Sequence, residues 1–262
     1  IFGVEALSWI EAVILGIVQG LTEFLPVSSS GHLVLAQHLI GVNETGVLLE
    51  VILHIGTLSA ILIYFYDDIK QLFLDAGRGS KDARIYIIHL VVATIPAACA
   101  GILFSDRIET AFTPSVVIWM LFITGIIVGS TRFFQNRPKR EIVLMTALFI
   151  GFSQAFALLP GISRSGLTIS TALILGVQHD KAAKFAFFMA IPVLLGAGLL
   201  QIVKFETMSS IALFPLTAGF FSSAITGYLV ISWLIAVISR GKFYLFSLYC
   251  FMIALLASTI IN

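Results

Sequence analysis

Six stretches of this sequence, about 47–66, 85–104, 115–134, 185–203, 212–238 and 243–261, stay apolar over a length that crosses a bilayer, which takes roughly 20 residues of helix. In lipid every backbone N–H and C=O must find its partner inside the protein, so only helices and closed barrels span. The alternating ten-residue segments of a barrel are absent. The chain is therefore predicted to be an all-α polytopic membrane protein. Its charge content of 11% agrees, since a soluble domain carries about 25%. A net charge of +1 says nothing about partners, and no basic run interleaved with aromatics suggests nucleic acid, so none is expected. Cys99 and Cys250 stand alone in apolar runs and read as packing residues, not as a disulfide or a metal site.

Four further apolar pieces, about 7–20, 27–41, 142–158 and 162–177, are too short to span and come as two pairs. Each pair is broken by a polar tip. The first break lies in Gln19–His32, QGLTEFLPVSSSGH, and the second in Ser153–Gly166, SQAFALLPGISRSG. Both run from a Gln through a Pro to Ser-x-Ser-Gly, 135 residues apart from Gln19 to Gln154 and from Gly31 to Gly166. Short apolar helices around a polar break predict re-entrant hairpins whose tips face protein or water. Residues 1–134 and 135–262 then each read as one hairpin plus three spans. Three crossings are an odd number, so the second half is expected to run inverted relative to the first.

Basic residues test this topology. Lys70, Arg78, Lys81, Arg84, Arg132, Arg137, Lys139, Arg140, Lys181, Lys184, Arg240 and Lys242 fall on one expected side, while Arg107 and Lys204 fall on the other. This predicts both termini and the opening of the first hairpin on the external face. The charges of segment 67–84 read as a solvated connection on the basic side.

An ionisable residue inside the membrane is a functional candidate by default, which singles out Glu23 and Arg164. Gln19, four residues before Glu23, shares its helical face and is expected to orient the carboxylate or donate to a ligand. The planar guanidinium of Arg164 suits phosphate or carboxylate; the alternative is a purely structural ion pair with Glu23. Ser28, Ser29, Ser30 and Gly31 before a helix expected over 32–41, and Ser163, Ser165 and Gly166 before one over 167–177, let backbone N–H groups approach an anion, although the same residues also cap helices. His32, three residues after Ser29, is a base within reach of a nucleophile. Glu50 and His54 share a face of the next span and read as pocket lining, a metal pair or a plain hydrogen-bonded pair. His38, His89 and His179 carry no constellation.

These residues resemble the bacterial undecaprenyl pyrophosphate phosphatase family, also called bacitracin-resistance protein and distinct from the phosphatidic-acid-phosphatase type. Gln19-Gly-Leu-Thr-Glu23 fits its Glu/Gln-x-x-x-Glu pattern, and Pro26-Val-Ser-Ser-Ser-Gly-His32 and Pro160-Gly-Ile-Ser-Arg-Ser-Gly166 match its two most specific motifs, over nearly the whole chain. Many members carry Glu at the position of Gln19, and Thr at that of Ser30. The resemblance implies removal of the terminal phosphate from a C55 polyprenyl pyrophosphate, which recycles a carrier for peptidoglycan synthesis. It also implies a divalent cation, Mg²⁺ or Ca²⁺, with Glu23 as a possible ligand.

The reading assigns Arg164, Ser163, Ser165 and Gly166, with Ser28, Ser30, Gly31, Gln19 and Gln154, to binding the pyrophosphate. Ser29 is the expected nucleophile, His32 the group that takes its proton or activates water, and Glu23 the group that orients His32 or holds a metal ion; direct attack by water stays open. The rival is a lipid-phosphate transporter, since inverted repeats with broken helices also build transporters. Phosphate release in detergent, where transport is impossible, separates the two.

Overall fold

The computed structural model describes residues 7–42, 46–111, 113–204 and 212–261. The expected position of the chain ends falls on residues 1–6 and 262, outside that set, as does the side chain of Lys204. Among the described residues the structure is helical, without strands: α1 (Trp9–Thr22), α2 (Ser29–Ile40), α3 (Gly46–Tyr64), α4 (Tyr66–Gly77), α5 (Lys81–Thr110), α6 (Pro114–Ser130), α7 (Leu144–Phe156), α8 (Arg164–Ile174), α9 (His179–Lys204), α10 (Leu213–Ser239) and α11 (Phe246–Ile261).

Lys81–Ser105, Ser115–Phe134, His179–Leu199 and Leu213–Ser239 are long and apolar enough to cross a membrane. The flank of the bundle is greasy, with Leu103, Trp119, Phe221 and Leu255 exposed, as lipid-facing surfaces require. The molecule is a multi-pass membrane protein. Two sequence expectations need adjustment. The connection 67–84 is not a loop, because α4 continues from α3 after a 67° bend; none of its side chains is buried, so its charges are solvated as expected. The run 243–261 opens with a 3₁₀ turn at Phe243–Leu245, leaving α11 with 16 residues, about 24 Å of helix and less than a full crossing.

At 14 and 13 residues, α1 and α7 reach about 20 Å, short of the roughly 30 Å hydrocarbon core. Each packs on its own partner, α2 or α8, and each also lies along a long helix from the other half of the sequence, α1 on α10 and α7 on α5. Glycines make the approach possible. A Cβ on Gly16 would lie 2.6 Å from the Gly219 carbonyl and one on Gly20 2.7 Å from that of Ser223, while one on Gly151 would lie 2.5 Å from that of Ala93. Advancing contacts, Gly16 to Gly219 and Gly20 to Ser223, show that α1 and α10 run parallel. The end of α1 therefore stops halfway along α10, where the Phe24 ring covers Gly227. Leu158, beyond α7, similarly reaches Gly101 of α5. Each polar break thus lies alongside a long helix of the other half and not beyond its end.

The basic segments meet at one end of the bundle. Lys184 pairs with Asp68 at 2.5 Å, Lys181 pairs with Glu141, Gln135 donates to the Gly241 carbonyl at 2.6 Å and Arg137 to that of Ile174 at 2.8 Å. The start of α1 is at the other end, where the Trp9 ring meets Phe214 at the start of α10.

Candidate active site

Both helices after the breaks begin earlier than expected, α2 at Ser29 and α8 at Arg164. The motif serines therefore form caps and first turns instead of preceding loops. Ser28 caps α2 by accepting from the Gly31 N–H, and Ser163 caps α8 by accepting from the Gly166 N–H, the usual use of a small hydroxyl at a helix start. Ser28 does so with φ +69°, making it the single non-glycine residue with positive φ among those described. Such a backbone costs on the order of 1–3 kcal/mol and persists where its surroundings hold it, commonly at functional sites.

The two breaks interlock. Ser163 and Ser165 donate from their hydroxyls to the Leu25 carbonyl at 3.3 and 2.9 Å, and Cys250 donates from its thiol to that of Pro26 at 3.2 Å. Gly161, at φ +88°, lies so close to α6 that a Cβ there would sit 2.6 Å from the Val117 carbonyl. Thr124 of α6 accepts from the Ser163 N–H at 3.2 Å. The join positions Arg164 over Glu23, whose Oε1 accepts from Arg164 Nη2 at 2.5 Å. Its Oε2 accepts from Ser29 Oγ at 2.7 Å and from Gln19 Nε2 at 3.0 Å, with His54 Nε2 at 3.8 Å. One carboxylate therefore gathers a guanidinium from late in the chain and a hydroxyl, an amide and an imidazole from early in it.

His32 does not meet Ser29. Its Nδ1 lies 2.8 Å from the Ser28 carbonyl and its Nε2 3.0 Å from Tyr249 Oη. A carbonyl only accepts, so Nδ1 carries a proton, and Nε2 faces the Tyr249 hydroxyl. The two rings also stack, 5.6 Å apart and 12° from parallel. Tyr249, 217 residues away on α11, has no local signal in the sequence. His54 had one, its i, i+4 spacing from Glu50; yet it uses only the Glu50 backbone carbonyl, at 2.7 Å from Nδ1, and turns Nε2 toward Glu23.

Burial sorts the remaining candidates. Ser28, Ser163, Ser165, Gly31, Gly166, Gln19 and Gln154 are buried, whereas Ser29, Ser30, His32, His54 and Arg164 are partly open. Ser30 Oγ lies 3.3 Å from Ser28 Oγ. Gln19 Oε1 and both amide atoms of Gln154 have no hydrogen-bond partner among the described residues. An unpartnered buried group costs about 1–3 kcal/mol, which marks both as places for a hydrogen-bonding ligand or water.

A resident divalent ion is not matched by this donor set. The Glu23 carboxylate already faces Arg164, Ser29 and Gln19, and no group of three His, Cys, Asp or Glu side chains converges among the described residues. Hard cations take six or more oxygens. What the cluster presents instead is a guanidinium, two partly open hydroxyls and the starts of two helices, α2 and α8, where the caps take the Gly31 and Gly166 N–H groups and the earlier ones have no carbonyl partner within the helix. Such a set of groups is suited to an anion.

A family model described as bacitracin resistance protein BacA matches residues 12–256. Among similar proteins, one from Desulforudis audaxviator named undecaprenyl-diphosphatase is 41% identical over 245 residues, covering 91% of this chain and 92% of the relative. One from Bacillus licheniformis named undecaprenyl-diphosphatase 1 is 40% identical, covering 94% and 96%. One from Bacteroides thetaiotaomicron named undecaprenyl-diphosphatase is 36% identical, covering 93% and 96%.

Proposed function

The chain belongs to the bacitracin resistance protein BacA family, and on that premise we propose that it hydrolyses undecaprenyl (C55) pyrophosphate to the monophosphate and inorganic phosphate, recycling the lipid carrier of cell-wall synthesis. The names of its relatives support the substrate. The observation that carries the reading is Glu23 holding Arg164 and Ser29 on its two oxygens.

On arrival the terminal phosphate competes with Glu23 for Arg164, which is suited to bidentate phosphate contact. The guanidinium and the N–H groups at the starts of α2 and α8 then bear the charge of the transferring phosphoryl group. Ser29 Oγ attacks the terminal phosphorus and passes its proton to Glu23 Oε2. The bond to the bridging oxygen breaks and the lipid monophosphate leaves. Water attacks the phosphoserine, His32 Nε2 takes its proton, Glu23 returns the first proton to Ser29 as the bond from phosphorus to Oγ breaks, and His32 gives its proton to the departing inorganic phosphate. His32 thus serves the second step, and Glu23 replaces it as the base for the nucleophile. Mg²⁺ or Ca²⁺, in this reading, arrives as the counterion of the pyrophosphate, with no protein cage required.

The exchange of partners between halves, α1 on α10 and α7 on α5, supports an inverted-topology repeat with two re-entrant hairpins. The basic loops meeting at one end support a cytoplasmic assignment for that end, with the site opening to the outer face of the plasma membrane. Purified protein in detergent is expected to release phosphate from the lipid pyrophosphate; binding without release would overturn the reading. Tyr249→Phe keeps the ring stack but removes the hydroxyl facing Nε2. It is expected to lower kcat about tenfold, one good hydrogen bond, with KM nearly unchanged; unaltered kcat would remove Tyr249 from the reaction.

A further inference from the structure

The basic end of the bundle carries a cavity of about 340 Å³, lined by Asp68, Leu72, Tyr86, Glu141, Ile142, Lys181, Lys184 and Phe188. It shares no residue with the Glu23 cluster. Its size falls in the range of small-molecule sites, roughly 300–1,000 Å³.

The walls are graded. Lys181, Lys184 and Phe188 stand at i, i+3 and i+7 on α9, and Asp68 and Leu72 at i and i+4 on α4, so each helix turns one face to the cavity. Along α9 the lining passes from ammonium to phenyl within seven residues, about 10 Å. Opposite lie the Tyr86 ring, edge-on to Phe188 at 6.3 Å, and Ile142. A charged rim over an apolar floor at the end of a membrane bundle selects an amphiphile that arrives through the bilayer, because a soluble metabolite would leave the floor uncovered.

The rim selects the headgroup. It holds two ammonium and two carboxylate groups, paired as Lys184 with Asp68 at 2.5 Å and Lys181 with Glu141. These four side chains are 39–75% exposed, and exposed pairs of this kind contribute about 0–1 kcal/mol, so their partners exchange readily. A purely anionic head would leave two carboxylates facing it, and a cationic head two lysines. A head with one phosphate and one ammonium satisfies all four. The Phe188 ring lies under Lys184 Nζ at 5.6 Å, which holds that ammonium at the rim above the apolar floor.

The geometry points to a structural lipid site: the cavity takes a zwitterionic phospholipid with an aminoalkyl phosphodiester head. The phosphate lies between Lys181 and Lys184, the ammonium lies against Asp68 and Glu141, and the upper chain segment lies on Leu72, Ile142 and Phe188. Its occupant would join α4, α5 and α9 to the connection after α6.

The test uses the full-length protein in detergent, titrated with phosphatidylethanolamine, phosphatidylglycerol or soluble glycerophosphoethanolamine and followed by native mass spectrometry. Phosphatidylethanolamine is expected to bind with one tight site, weakened about tenfold or more in both K181A/K184A and D68A/E141A. Leu72→Trp, which fills the floor and keeps every charge, should abolish the site. Equal or tighter binding of phosphatidylglycerol, retention in D68A/E141A, or retention in L72W would each overturn the proposal, and saturation by the soluble head alone would assign the cavity to a soluble ligand instead. Phosphate release, which uses none of these residues, should persist in all variants and reports that they are folded.

Discussion

Arg164→Gln is expected to reduce phosphate release by about three to five orders of magnitude, the scale of losing a cation that stabilises a transferring phosphoryl group. It should also destabilise the protein. Glu23 has a side chain only 5% exposed, and removing one partner of a buried pair leaves an uncompensated charge at a cost of about 3–5 kcal/mol. Glu23→Gln should destabilise for the mirror reason. The double variant removes both charges, so a thermal melt is expected to recover most of the wild-type stability. Its activity should stay as low as that of Arg164→Gln. If the double variant recovers activity along with stability, the pair is a structural tie and catalysis lies elsewhere.

Ser29→Ala is the second large effect, expected at about four orders of magnitude or more in kcat, since loss of a nucleophile commonly removes that much. Its cost in stability should be small, about 1 kcal/mol, for one hydrogen bond to Glu23 in a partly open position. Acid quench of wild type with substrate labelled in the terminal phosphate is expected to trap label on Ser29. Loss of only tenfold in Ser29→Ala, with no label trapped in wild type, would assign attack to water and leave Ser29 as a ligand of Glu23.

Four of the six expected spans and the two polar breaks were legible because lipid enforces a simple rule on apolar length; of the other two, the run 47–66 qualifies only together with the bent α4, and 243–261 is too short. That the breaks belong together was legible as well, in their matching Gln, Pro and Ser-x-Ser-Gly. What the sequence misplaced was local. It assigned Ser29 to a loop and paired it with His32; but α2 starts at Ser29, and His32 reaches back to the Ser28 carbonyl while its other nitrogen meets Tyr249. Ser163 and Ser165 read as small residues that let backbone N–H groups approach an anion; that their hydroxyls bind the Leu25 carbonyl and tie the two breaks together had no signal in the spacing. Tyr249 and the approach of His54 to Glu23 arise from packing between distant helices, which no spacing rule encodes. The exit of α4 at 67° was hidden because a solvated charged segment reads alike as loop or helix.

The parallel seam between α1 and α10 also sets an order of assembly. The first helix pair, beginning at Trp9, has its bed on a helix that starts at Leu213, so at 5–20 residues per second of synthesis it waits roughly ten to forty seconds for that helix to appear. For the first part of that time, until Arg164 is made 141 residues after Glu23, the carboxylate lacks its guanidinium, and the nascent chain must hold it in a wet or chaperoned setting. A ribosome halted before residue 213 should therefore yield a product cleared by quality-control proteolysis, not a half-protein that keeps its shape.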